Sequence, residues 1–202
     1  MARSKTNRKH SPDANDLLLV ELKEIYSAES QLARALPRLE KAVESDTLKK
    51  LLDKRQEQGE RIIQELDKCF EELETSPGRK KNAAAEGLIG DLREHVQELE
   101  QGPALDLVLT GAMQKIEHYC IAAWGTAKSL ANVGQKSEVV SVMNGALEEG
   151  KSYDAEMTNV AESELAPALL SSGAESEEDE EGDQPTSARQ RKGGSSEQHA
   201  RH

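Results

Sequence analysis

Apolar residues recur along this chain at spacings of three and four in five separate runs, the signature of amphipathic helices. The first run starts at Asp16 and sets Leu18, Leu22, Ile25, Leu32, Leu36, Leu39 and Val43 on one stripe, with Glu29 in its middle. Pro37 stands inside this helix and predicts a local bend, because it cannot donate to the carbonyl of Ala33. Ser45 and Asp46 break the run and recap it. The second stripe carries Leu48, Leu52, Arg55, Gly59, Ile62, Ile63, Leu66, Phe70 and Leu73, and Pro77-Gly78 ends it. A basic loop over 79–82 leads to a shorter segment from about Ala83 to Leu99. Gly102-Pro103 opens the fourth run, the most apolar and so the one expected to be most buried. Gly134 suits the position just past its end, and Ser137 can cap the fifth helix. That helix turns Val139, Val140, Met143, Ala146, Leu147, Gly150, Asp154, Met157 and Val160 inward, with Pro167 expected just past its end.

Four long helices and one short one, joined by brief turns, predict an all-α fold: an antiparallel four-helix bundle with an additional short helix. Residues 16–75 should form two long antiparallel helices, packed on helices near 104–133 and 137–165. The helix near 83–99 should cover one side. The expected division is a basic N-terminal tail over 1–14, the bundle over 15–168 and a charged tail over 169–202. In that last tail the acidic run Glu175–Glu181 precedes the basic Arg189–Lys192. Neither tail can anchor a core, and both are expected to be unfolded.

Aromatic residues at 2% and charged residues at 32% argue against a β-sandwich or barrel. A net charge of −12 argues against nucleic acid or an anionic membrane surface as partner. Cys69 and Cys120, each within an apolar helical pattern, read as two small core residues in a reducing compartment. Met1–His10 lacks the apolar segment of a signal peptide, and no stretch reaches membrane-span length, so the cytoplasm is the default expectation.

Glu29 carries the most chemical information. A carboxylate in the centre of an apolar stripe must be protonated, paired with a cation or bound to a metal. Glu117 lies at the edge of its helix's apolar face, while His118 points away from it. Asp154 falls on the inner face of the last helix, Glu149 at its border, and Glu57 opposite its own stripe. Inward carboxylates on several helices are what a di-metal carboxylate bundle needs. No E-x-x-H pair occupies an inward face, however, and no phosphate-binding, nucleophile-elbow or dinucleotide motif is present.

Four segments, taken in order and spacing, resemble a known family: Glu21–Ala42 (ELKEIYSAESQLARALPRLEKA), Ala84–Asp91 (AAEGLIGD), Gln114–Ala131 (QKIEHYCIAAWGTAKSLA) and Leu147–Asp154 (LEEGKSYD). They are similar to the YciE/YciF family of bacterial ferritin-like stress proteins over about residues 16–162. The resemblance implies a ferritin-like bundle, a homodimer, expression under stress and a candidate dinuclear iron or manganese site of rubrerythrin type. Glu29, Glu86, Glu117, His118, Glu149 and Asp154 match the family's positions; the metal candidates are Glu29, Glu117, Glu149, Asp154 and Glu86. The chain departs from the family pattern at Arg55, Gln58-Gly59, Cys120 and Gly150, and Arg55, Gly59, Cys120 and Gly150 all fall on inward faces.

These departures predict a degraded or remodelled centre in which Arg55 pairs with at least one of Glu29, Glu117 and Asp154. Counting from the Asp46 turn leaves Glu29 and Arg55 about 12 Å out of register, so direct contact between those two stays open. Two functional readings follow. One is a structural or protective stress-response bundle without a metal cofactor. The alternative is a di-iron or manganese carboxylate oxidoreductase handling peroxide or ferrous iron. An adaptor working through the charged tails is a third class. No catalytic residue is assigned.

Overall fold

The computed structural model describes residues 11–181, with side chains over 11–173. Six α-helices follow one another: α1 Ala14–Ala42, α2 Asp46–Glu72, α3 Ala83–Glu98, α4 Pro103–Val133, α5 Ser137–Val160 and α6 Ala166–Glu181. A π-helical turn over Ala161–Leu165 joins the last two. No strand occurs among the described residues.

Short turns make α1 antiparallel to α2, and α4 antiparallel to α5. The backbone N–H of Glu44, past the end of α1, donates to Asp106 at the start of α4, so these two helices also run in opposite directions. Lys54–Glu156 and Arg61–Glu149 pair α2 with an antiparallel α5. The bundle therefore runs up, down, down, up. One long crossover carries α3 back along α1 and α4, the connectivity of ferritin-type bundles. The inner stripes meet in one continuous apolar core from Leu18 to Leu165.

Local chemistry explains the boundaries. Asp13 and Asp16 form a reciprocal capping box that starts α1 at Ala14, two residues before the expected Asp16. Ser45 caps α2 by accepting from the Leu48 N–H. Asn82, which the sequence placed only in a loop, caps α3 through the Ala85 N–H. The same residue donates from its backbone to Ser27 Oγ, and from its side chain to the Glu24 carbonyl and the Tyr119 hydroxyl. One cap thus fastens the crossover to both α1 and α4.

Three expectations change. Gly134 is not in the left-handed region (φ −78°); that conformation falls to Gln135 at φ 57°. A Cβ at Gly134 would stand 2.6 Å from Oδ1 of the exposed Asn15, whose side chain would turn aside to admit it. Pro167 does not follow the last helix but is the second residue of α6. The π turn before it, closed by the Ala166 N–H on the Ala161 carbonyl, accommodates a proline that cannot donate and whose ring crowds the carbonyl of Ser163. Finally, α6 runs on to Glu181 although residues from 169 were expected to be unfolded. Its Ala, Leu and Glu residues favour helix without needing a core, and Leu170 is 77% exposed. The expectations for 1–10 and 182–202 lie outside the described residues.

Asp106 is buried, and its carboxylate accepts from the N–H groups of Glu44 (2.9 Å) and Ser45 (2.7 Å) in the α1–α2 turn. Asp106→Ala leaves these donors without their acceptor. Urea unfolding of the variant should show a loss of about 1–3 kcal/mol at an unchanged m-value.

Candidate functional site

Glu29 stands thirteen residues before the last residue of α1, and Gly59 thirteen after the first of α2. The two positions are therefore level across the antiparallel pair. Arg55 lies one turn nearer the connecting loop, and its side chain runs along α2 over Gly59. A Cβ at Gly59 would sit 3.1 Å from both Arg55 Nη1 and Glu29 Oε2, so the glycine makes the channel through which the arginine reaches.

The guanidinium closes a fork on Glu29, with Nη1 donating to Oε2 at 3.0 Å and Nη2 to Oε1 at 3.1 Å. Its Nε donates to Glu117 Oε2 on α4 at 2.7 Å. Nη2 also approaches Cys120 Sγ at 3.7 Å, and Cζ lies 5.7 Å from the centre of the Trp124 ring. Glu29 is 1% exposed, and Arg55 and Glu117 are 0% exposed. Gly150 on α5 closes the remaining side. A Cβ there would come within 2.4 Å of Trp124 Cζ3 and 2.6 Å of Glu117 Oε1.

One cation faces two carboxylates in a space without solvent. Burial opposes the Arg55 charge, but Glu29 and Glu117 outweigh it and hold the guanidinium above its ordinary pKa. Burial pushes the Glu117 carboxyl up, against the pull of Arg55, and the neighbouring Glu29 and Asp154 add to the rise. Glu117 Oε1 has no donor among the described residues. A proton on Glu117 leaves one guanidinium against one carboxylate, the balance that burial favours. The Cys120 thiol is driven well up, by burial first and then by Glu29, and stays protonated.

The remaining sequence candidates go elsewhere. Glu149 pairs with Arg61 at the surface, and Glu86 pairs with Lys81. Asp154 is half-buried at the α4–α5 seam, where it accepts from Gln114 Nε2 and faces the exposed His118. It was expected inward, but the inner line of α5 runs through Gly150, Tyr153 and Met157, and Asp154 is turned about 100° from Tyr153. Glu29 and Glu117 are thus brought together, and Glu149, Asp154 and Glu86 are not. Among the described residues, no three His, Cys, Asp or Glu side chains converge in a metal-holding group. Arg55 pairs with two of the three acids named for it, including the Glu29 contact that register counting left open. That counting started at Asp46, whereas α1 already ends at Ala42, which removes part of the offset. The burial of Tyr153 was missed, although its i+3 spacing from Gly150 and i−4 spacing from Met157 carried the signal.

Arg55→Leu strands a buried carboxylate without its cation and should cost about 3–5 kcal/mol. A raised folded-state pKa at Glu117 means that the native protein holds a proton the unfolded chain releases. Its contribution is therefore lost as pH rises from the ordinary carboxylate range through the raised value. Removing Arg55 removes the group that lowers this pKa and widens the window. The penalty of Arg55→Leu, measured by chemical denaturation, should be larger near pH ~8 than near pH ~5.

The model of a domain of unknown function, DUF892, matches residues 13–169. YciF of Escherichia coli is 33% identical over 147 residues, spanning 72% of this chain and 89% of that protein. The crystal structure of the E. coli stress protein YciF superposes with a TM-score of 0.71 at 32% identity, over 75% of this chain and 96% of that one. YcfI from Rhodopseudomonas palustris, described as a candidate structural protein, gives a TM-score of 0.70 at 28% identity, over 79% of this chain and 99% of that one.

Proposed function

The chain belongs to the DUF892 family, that of YciF, and on that premise we propose that it is a ferritin-like stress-response protein with a structural or protective role rather than a catalytic one. The observation that carries this reading is the Arg55 guanidinium between Glu29 and Glu117. A dinuclear carboxylate centre needs bridging and terminal carboxylate oxygens free to bind cations. Here both oxygens of Glu29 and one of Glu117 are committed to Arg55. The guanidinium places a fixed positive charge beside them, which repels a divalent ion. Gly150 offers no donor, and Trp124 occupies the space a longer side chain would need. The residues present do not fit two divalent cations.

Elemental analysis after aerobic reconstitution with ferrous iron, and separately with manganese, tests this reading. The expected content is well below two ions per chain, with peroxide-dependent oxidation of ferrous iron no faster than in buffer. Two tightly held ions per chain would overturn it in favour of the oxidoreductase alternative.

A homodimer fits the same reading. Leu17, Val20 and Val133 are exposed, and the start of α1 and the end of α4 lie at the same end of the bundle. Sedimentation equilibrium should give twice the chain mass, and Val20→Glu with Val133→Glu should shift it to one.

A further inference from the structure

A chain of net charge −12 gathers five cations around one hollow. The hollow, about 210 Å³, lies between α1 and the loop that precedes α3. Lys23 and Arg34 border it from α1; Arg79, Lys80 and Lys81 border it from the loop. Glu24 takes up Lys80 at 2.8 Å and Glu86 takes up Lys81 at 2.9 Å. Lys23, Arg34 and Arg79 have no carboxylate at ion-pair distance among the described residues. Such a cluster repels itself and gains from an anion that sits among its members.

The rest of the wall suits an oxyanion. Gln31 Nε2 donates to Ser27 Oγ and to the Asn82 carbonyl, and the Asn82 N–H donates to Ser27 Oγ, so these groups hold the loop against α1. Ser30 borders the hollow as well. Lys81 directly precedes the Asn82 cap, so the positive end of the α3 dipole adds to the field there. Two arginines supply planar forks of the kind that grip a tetrahedral oxyanion. The hollow holds several times the roughly 30 Å³ of one water, enough for a small anion. An extended polyanion would leave this hollow and meet the repulsion of an acidic chain.

We propose that this hollow binds a phosphate-class oxyanion, either inorganic phosphate or the phosphate end of a small phosphorylated molecule. Calorimetric titration of the full chain at fixed ionic strength, with inorganic phosphate, pyrophosphate and methyl phosphate as probes, separates these sources. The expected result is saturable binding of at least one probe at one site per chain. Arg34→Ala and Arg79→Ala should each weaken it about tenfold or more. Lys54→Ala, on the far α2–α5 side, should leave it unchanged, and matching circular-dichroism melts confirm that each variant folds. No saturable binding by any probe, or equal binding by the double variant Arg34→Ala/Arg79→Ala, would overturn the proposal.

Discussion

A charged group taken out of water must find its opposite charge close by, and the centre of this bundle is arranged around that requirement. Arg55 is fully buried in the bundle, and its stability there rests on Glu29 and Glu117. The pairing ties α1, α2 and α4 together at one level, because the fork fixes direction as well as distance. Buried ion networks are weak sources of net stability and stronger sources of uniqueness. A slip of α2 against α1 by one turn, about 5 Å, would move the guanidinium off Glu29 and leave buried charge without its partner. The triad therefore acts as a register lock for the helices that carry it.

Two other buried polar residues do similar work away from the centre. Asp106 holds the α1–α2 turn to the start of α4, and Asn82 holds the start of α3 to α1 and α4. Each satisfies backbone groups that a helix end leaves unpaired. Asp106 secures one end of the bundle, while Asn82 secures the crossover along its flank. The apolar stripes supply the driving force for collapse, and these polar contacts choose among the ways the stripes can meet.

The helices were legible because their apolar residues keep a 3.6-residue period, which needs no partner to be read. Glu29 and Arg55 were legible for the same reason, since a charge inside an apolar stripe breaks the pattern. What pairs with what was harder. Glu149 and Asp154 fall within one residue of an inward position on α5, and a rotation that small decides between the core and the surface. Asn82 and Asp106 left no pattern, because a polar residue near a helix end is ordinary until the tertiary fold buries it. Pro167 read as a stop, and only the π turn allows the helix to continue.

Gly150 also limits what this protein can become. A carboxylate added at that position would drive its first carbon into the Trp124 ring and against Glu117 Oε1. One added at Gly59 would crowd Arg55 Nη1 and Glu29 Oε2, each 3.1 Å from its first carbon. Neither acid can enter while its neighbours keep their places, and Arg55 cannot leave without stranding the acids already there. A change to a centre rich in ligands thus requires several replacements together. The tight fit around two glycines works as a ratchet: ordinary one-step variation can refine the ion-paired core but meets a barrier on any path away from it.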